Sequence, residues 1–278
     1  MRTRYRKILV AAALSALASM AILASAADAA TPVAPYQDFA GCPSAAENEF
    51  IGECLKYEFT GGHIGLGNRD IPVSNTIVLR GGIEQETANF LFNSEGGLIP
   101  ARQTVPGGLV GLTGYKWLDE AVESSSALKL YATVELAGEP EEVIQSTIEV
   151  PIKVHLENPF LGSACYVGSN ASPIMLNLTT GTTNPPAPNT PITGRPVSEL
   201  EPEASRPKVH TGTGGIFVDN AYAVPAAGGC VFNFASIHQS IDKLVNAAYA
   251  LPSAAGMNTT VLDYDESTVL PRFLYPES

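Results

Sequence analysis

Tryptophan is almost missing from these 278 residues, where Trp117 stands alone, and histidine and methionine number four each. Basic residues are scarce too, 16 Lys and Arg against 28 Asp and Glu, for a net charge of −12. Affinity for nucleic acid comes from Lys and Arg displacing counterions, so this imbalance argues against a nucleic-acid partner. No Cys-x-x-Cys occurs, and His63, His155, His210 and His238 are too scattered to give zinc a second ligand pair. A Gly-x-Ser-x-Gly elbow, His-Glu-x-x-His, a phosphate loop and a glycine-rich dinucleotide fingerprint are absent as well. Each absence removes a recognisable enzyme class, and none leaves a reason to expect a cofactor. With one tryptophan and no ladder of aromatics, a carbohydrate groove has little support. Acid pairs for sugar hydrolysis stay open, because their spacing is a three-dimensional quantity.

Only one apolar run is long. Arg2, Arg4, Arg6 and Lys7 lead into Ile8 to Leu23, and small residues follow at Ala24-Ser25-Ala26 and Ala27-Asp28-Ala29. This is the pattern of an export signal, and it falls short of the roughly 20 strongly apolar residues of a membrane anchor. A signal peptide is therefore expected over 1–29, cleaved after Ala26 or Ala29, leaving a secreted or envelope-associated chain without a transmembrane helix. Once the leader is removed, 12 Lys and Arg face 27 acids, net −15. The acids cluster at Asp119-Glu120, at Glu139 with Glu141-Glu142, from Glu199 to Glu203, and at Asp263-Tyr264-Asp265-Glu266. These read as solvated loops. The last lacks the alternating acids, glycine and distant Glu of a calcium loop.

An oxidising compartment decides how Cys42, Cys54, Cys165 and Cys230 are read, as two disulfides. Of the three pairings, Cys42 with Cys54 and Cys165 with Cys230 is favoured, since the first brackets a short segment and the second the longest irregular region.

Between Gly-Gly pairs, which mark turns or bulges, lie segments of period-two alternation. From Leu128 to Leu136, and again from Ile148 to Leu156, the even positions are apolar and most odd ones polar. This predicts two half-buried strands, joined as a hairpin by Gly138-Glu139-Pro140-Glu141. Pro151 cannot donate to a ladder, which predicts an edge strand or a bulge there. Weaker strands read at Leu55 to Phe59, Val73 to Leu79, Cys165 to Val167, Ile174 to Leu178 and Ile216 to Val218. Ile237, Ile241, Leu244, Val245 and Ala248 recur at helical spacing, with Ser236 to cap the start and Pro252 to stop the helix after Leu251. The expected fold is mainly β: a single domain over 30–278, an antiparallel sandwich or barrel with one C-terminal amphipathic helix packed on it. The stretch 179–214 is crowded with proline and reads as a long loop. Loops beyond roughly 12 to 15 residues tend to be functional or disordered, so a surface-laid binding arm is weighed against a tolerated insertion.

Isolated histidines offer little chemistry. His155 sits on the polar side of its strand, where a cross-strand partner such as Glu135 explains it as surface pairing. His238 falls beside the apolar stripe of the expected helix.

The run Cys165 to Thr183, with Gly168-Ser169, Pro173-Ile174 and Leu178-Thr179-Thr180-Gly181, is followed by Pro185-Pro186-Ala187-Pro188-Asn189-Thr190-Pro191. Together with Leu251-Pro252-Ser253-Ala254-Ala255-Gly256, it resembles segments of uncharacterised exported proteins of high-GC Gram-positive bacteria. The resemblance implies an exported protein and brings no activity or catalytic residues. Expected, then, is an exported β domain that binds or scaffolds an extracellular or envelope ligand, more readily than an enzyme. Two alternatives stand beside it: an envelope oligomer that inserts the Leu128 to Leu156 hairpin as part of a channel, and a secreted hydrolase whose site would show a nucleophile near His155 or His63. Catalytic, cofactor and metal residues are not nominated.

Overall fold

The computed structural model describes residues 30–108, 129–144, 147–234 and 237–276. The leader, Trp117, Asp119-Glu120, Leu128 and Ser236 lie outside the described residues. The chain is mainly β. The first part forms β1 (Ile51–Leu66), β2 (Arg69–Pro72), β3 (Ile77–Glu84), β4 (Phe90–Leu91), β5 (Gly97–Ile99) and β6 (Arg102–Val105). The middle forms β7 (Leu130–Leu136), β8 (Glu141–Ile144), β9 (Thr147–Glu157), β10 (Tyr166–Val167) and β11 (Ile174–Thr179). The last part adds β12 (Glu201–Pro202), β13 (His210–Asp219), β14 (Ala227–Gly228), β15 (Val231–Phe234), β16 (Ile237–Ser240) and β17 (Thr260–Val269), with helices α1 (Asp242–Tyr249) and α2 (Pro271–Leu274).

Alternation of aliphatic residues gives the longer strands one buried face. In β9, Ile148, Val150, Ile152, Val154 and Leu156 are each at most 4% exposed, and Leu130, Ala132 and Val134 of β7 pack beside them. All strands but the β15–β16 hairpin join one antiparallel sheet, whose central run is β9-β11-β13-β17-β1-β3. It rolls over on itself. Gln103 of β6, fully buried, accepts from Ser74 N and Asn75 N and donates to Asn75 O, stitching β6 to the loop after β2. The inner faces of both halves meet in one core, and the void left at its centre, between Phe59, Leu79, Val134 and Ile152, is about 30 Å³. This is a filled, sandwich-like interior. A bulge at Phe59/Gly61 bends β1, so its first half pairs with β3 and its second half with β2. Gly62 adopts φ 89° there, against Val261 O, a position that excludes a side chain.

Several expectations are corrected. β9 is an interior strand, with β7 and β8 on one side and β10 and β11 on the other. The link after β7 is no simple turn, since it contains β8. Pro151 is tolerated because its carbonyl accepts from Ala137 N, on the side where β7 gives way to β8 and one ladder bond is missing. The C-terminal helix begins at Asp242, not near Ser236, because residues 237–240 pair with β15. Asp242, the first helical residue, accepts from Cys230 N and Ser240 Oγ, which ties the helix start to the preceding segment. Val245 and Tyr249 are its buried face, and Ala250 ends it in the left-handed region before Pro252. α2 is a second, single-turn helix. The Asp263-Tyr264-Asp265-Glu266 run is no loop: it is the middle of β17, paired on both sides. The 179–214 loop is shorter than expected, since Thr179 closes β11 and His210 opens β13. Its remainder lies along the surface with regular backbone bonds, including Thr183 N to Ile192 O, Gly194 N to Gly181 O and Ser198 N to Thr213 O. The Gly81-Gly82 pair is neither turn nor bulge: it lies in regular β3, where Phe90 and Ile51 approach too closely for a Cβ.

Candidate functional site

Where the two layers part at one end, a cleft of about 210 Å³ opens onto the core. Its floor is built by alternation. Leu55, Tyr57 and Phe59 of β1 face inward with Leu262 and Tyr264 of β17 and Phe217 of β13. Tyr57 packs edge-on to Phe217 and Tyr264, with centroids 5.6 Å apart in each case, while Phe217 and Tyr264 stack at 4.1 Å. Tyr264 reaches this position because Gly215 lies opposite it across the ladder, where a Cβ would come within 2.3 Å of the ring. The same alternation continues outward to two acids, Glu53 and Glu266, at the cleft mouth. Thr180, Pro196 and Val197 of the proline-rich arm supply one wall. The arm is thus part of the site.

No hydrogen bond or ion pair satisfies Glu53 or Glu266 among the described residues. Burial pushes the Glu266 carboxyl up to about 7, and the nearby Glu53 adds to the shift. Tyr57 is only 5% exposed, and its hydroxyl has no hydrogen-bond partner among the described residues. Burial raises its pKa well above the ordinary phenol value, with Glu266, Tyr264 and Glu53 contributing. Burial likewise raises Tyr264 to about 12, Glu266 adds to this, and the Val197 backbone partly offsets it. The cleft therefore combines apolar ring faces, an acceptor-rich mouth and a buried phenol, the ordinary composition of a small-ligand site.

The four cysteines lie elsewhere. Cys42 is bonded to Cys54 and Cys165 to Cys230, with Cα separations of 5.5 Å and 4.1 Å. The first bond holds the N-terminal segment to the outer face of β1, and the second ties β10 to the chain entering β15. On the outer face of β9, His155 Nδ1 lies 3.8 Å from Glu135 Oε1, and its ring stacks on Tyr166 at 4.5 Å. Glu135 also faces Lys153 Nζ at 3.5 Å. This is the cross-strand pairing expected for His155. Among the described residues no serine, threonine or cysteine hydrogen-bonds His155 or His63. His238 is exposed on β16 rather than on a helix, with Nδ1 2.7 Å from Asn233 Oδ1. Asn258 heads an Asn-x-Thr sequon with Thr259 and Thr260, but the residue is 1% exposed and its side chain accepts from Gly67 N and donates to Tyr222 O and Ala254 O, so it is closed to glycosylation in the folded chain. Among the described residues no three His, Cys, Asp or Glu side chains gather as metal ligands, and no helix is long and apolar enough to cross a membrane.

Sequence reasoning missed Glu53 and Glu266. The trace was there: each is an acid at an inward position of an alternating run, Glu53-x-Leu55-x-Tyr57 and Leu262-x-Tyr264-x-Glu266. Comparison with known proteins finds no family model that matches the chain and no curated protein similar to it.

Proposed function

We propose that this chain is an exported domain of the cell exterior or envelope that binds a small ligand or side chain in the arm-walled cleft. Export is supported by the leader in 1–29 and by four paired cysteines, which persist in oxidising compartments. The observation that carries the binding reading is the cleft itself: the Tyr57 side chain, 5% exposed, presents a hydroxyl without a hydrogen-bond partner among the described residues to a cavity of about 210 Å³ bordered by Glu53 and Glu266, which lack partners too. A ligand in the cleft offers these groups directed hydrogen bonds in place of those to water. Titration with a small-fragment set, followed by amide NMR, tests this. Saturable shifts confined to Glu53 to Tyr57, Val197 and Tyr264 to Glu266 are expected; no saturable response at these residues overturns it. Fractionation of the native host tests export, and retention of the uncleaved chain in the cytoplasm counts against it.

One observation favours a hydrolase as a second reading. The Glu266 carboxyl, pushed up to about 7 by burial, lies beside a second acid, Glu53, as a proton donor would in a two-acid hydrolytic site. A hydrolytic activity abolished by both Glu53→Gln and Glu266→Gln would establish it. The envelope channel has no such support. The apolar face of β7 and β9 is spent on the core, and their outward face carries Glu135, Lys153, His155 and Glu157, which lipid would not accept.

A further inference from the structure

We infer that the cleft takes an aliphatic ammonium group, the end of a primary alkylamine or of a lysine side chain; this rests on the reading of the cleft as a binding site. Several half-buried acids elsewhere among the described residues are neutralised internally. Asp38 faces Lys56 at 2.9 Å and Arg206 at 2.7 Å, and Glu157 faces Arg102 at 3.2 Å. Buried Asp219 accepts from Asn177 N and Ala221 N. Glu53 and Glu266 share a concave site with no cation facing them and no donor hydrogen-bonded to them among the described residues. The missing charge is positive.

The remaining surfaces specify what carries that charge. The Tyr57 oxygen and the two carboxylates are acceptors for an ammonium with three N–H groups. The rings of Tyr57, Phe217 and Tyr264 line the cleft and add apolar surface beside the acids. Leu55, Ile83, Pro196 and Val197 give an alkyl stem an apolar wall. A cleft of about 210 Å³ is smaller than a typical drug-sized pocket and suits a short chain. Calcium would need roughly six to eight oxygens, more than this mouth offers, and anions are repelled.

The charge at the mouth also makes capture pH-dependent. Facing Glu266 are Glu53 and Tyr57 from β1 and Tyr264 on its own strand, while β13 presents Gly212 and the arm Pro196 and Val197. Glu266, its carboxyl pushed up to about 7 by burial, gains its charge as pH rises through that value, so amine affinity rises there.

The test is calorimetric titration, with amide NMR to locate the site. Wild type, Glu266→Gln and Tyr57→Phe are titrated with n-pentylamine, pentan-1-ol and a blocked lysine tripeptide at about pH 8 and about pH 5.5. Pentylamine should bind at the cleft at the higher pH, roughly tenfold tighter than pentanol, with a loss on the order of tenfold in Glu266→Gln or in wild type at the lower pH. Glu266→Gln removes an unpaired buried charge and so should fold normally. Tighter binding of the tripeptide than of pentylamine points to a lysine side chain as the source, and the reverse to a free amine. Pentanol binding as well as pentylamine, or an unaltered Glu266→Gln, overturns the inference while leaving the cleft a binding site. Silence of the cleft toward all three probes and toward the fragment set overturns both.

Discussion

Lys56 and Tyr57 are consecutive on β1 and face opposite ways, and the two faces treat their carboxyl groups differently. On the outer face, Lys56 is 8% exposed and bridges Asp38 and Glu58, and Asp38 also accepts from Arg206, whose other partner is Glu203. Burial alone would push the Asp38 carboxyl up, but Lys56 and Arg206 hold it below the ordinary carboxylate range. This chain of charges clamps the N-terminal segment and the proline-rich arm onto the sheet. On the inner face, Glu266 is more buried and given no cation, so its carboxyl shifts the other way. Burial alone therefore does not mark a site. What separates the regions is whether the fold supplies the counter-charge, and the region where it does not is the one open to a ligand.

Breaking the outer region should cost most. Cys42→Ser with Cys54→Ser removes the bond across 12 residues that keeps the segment bearing Asp38 in place, together with its packing of Phe39 against Val209 and Val269. A loss of about 3 kcal/mol in denaturant unfolding under oxidising conditions is expected. Amide shifts at Tyr57, Tyr264 and Glu266 should stay near their wild-type values. Cleft shifts as large as those around Asp38 would show that the two faces are not independent.

A pH series sharpens the contrast because the two carboxyls have opposite signs. Folded Glu266 keeps its proton from about 4.5 up to about 7, where the unfolded chain has released it, so its effect on stability worsens across that window and is complete above pH 7. Glu266→Gln should match wild type near pH 4 and exceed it by about 2 kcal/mol near pH 8, after discounting for the part open to solvent. Asp38, with a lowered folded pKa, contributes stability that is present above the unfolded carboxylate value and is lost as pH falls through the folded one. Asp38→Asn should therefore be less stable than wild type by about 1 kcal/mol near neutrality and equal to it in strong acid. Urea midpoints measured across the range check both; curves of the same sign would sink the comparison.

How far the residues themselves announced this arrangement depends on locality. β7 and β9 were legible because strict aliphatic alternation has no other reading at that length, and the cysteine pairs because the spacing suggested them. The partners of β9 were not legible: strands on both sides come from distant segments, and Pro151 pointed to an edge that the break between β7 and β8 makes unnecessary. β17 was hidden by charge. Its outward Asp263 and Asp265 and inward Glu266 read as a solvated run, although Asp265 Oδ1 accepts from Gly214 N and Asp263 sits over Gly61. The helix start was misplaced because Ile237 and Ile241 satisfy helical spacing by coincidence. The cleft was beyond local reading altogether, since Glu53, Val197 and Glu266 meet only when the sheet closes.

The smallest effect should come from Glu135, an acid that resembles neither clamp nor cleft. It lies on the outward face of β7 between Lys153 at 3.5 Å and His155 at 3.8 Å, with Tyr166 Oη at 3.4 Å, and about a third of it is exposed. Partly solvated pairs of this kind contribute under about 1 kcal/mol and are screened by salt. Glu135→Gln should lower stability by about 0.5 kcal/mol at low ionic strength and by an undetectable amount in roughly 1 M salt. The gain from Glu266→Gln should survive the same salt, because burial rather than long-range charge sets it. If Glu135→Gln instead costs as much as cutting the Cys42–Cys54 bond, the His155 cluster is a buried network in its own right, and the division into a paired outer face and an unpaired inner cleft needs a third class.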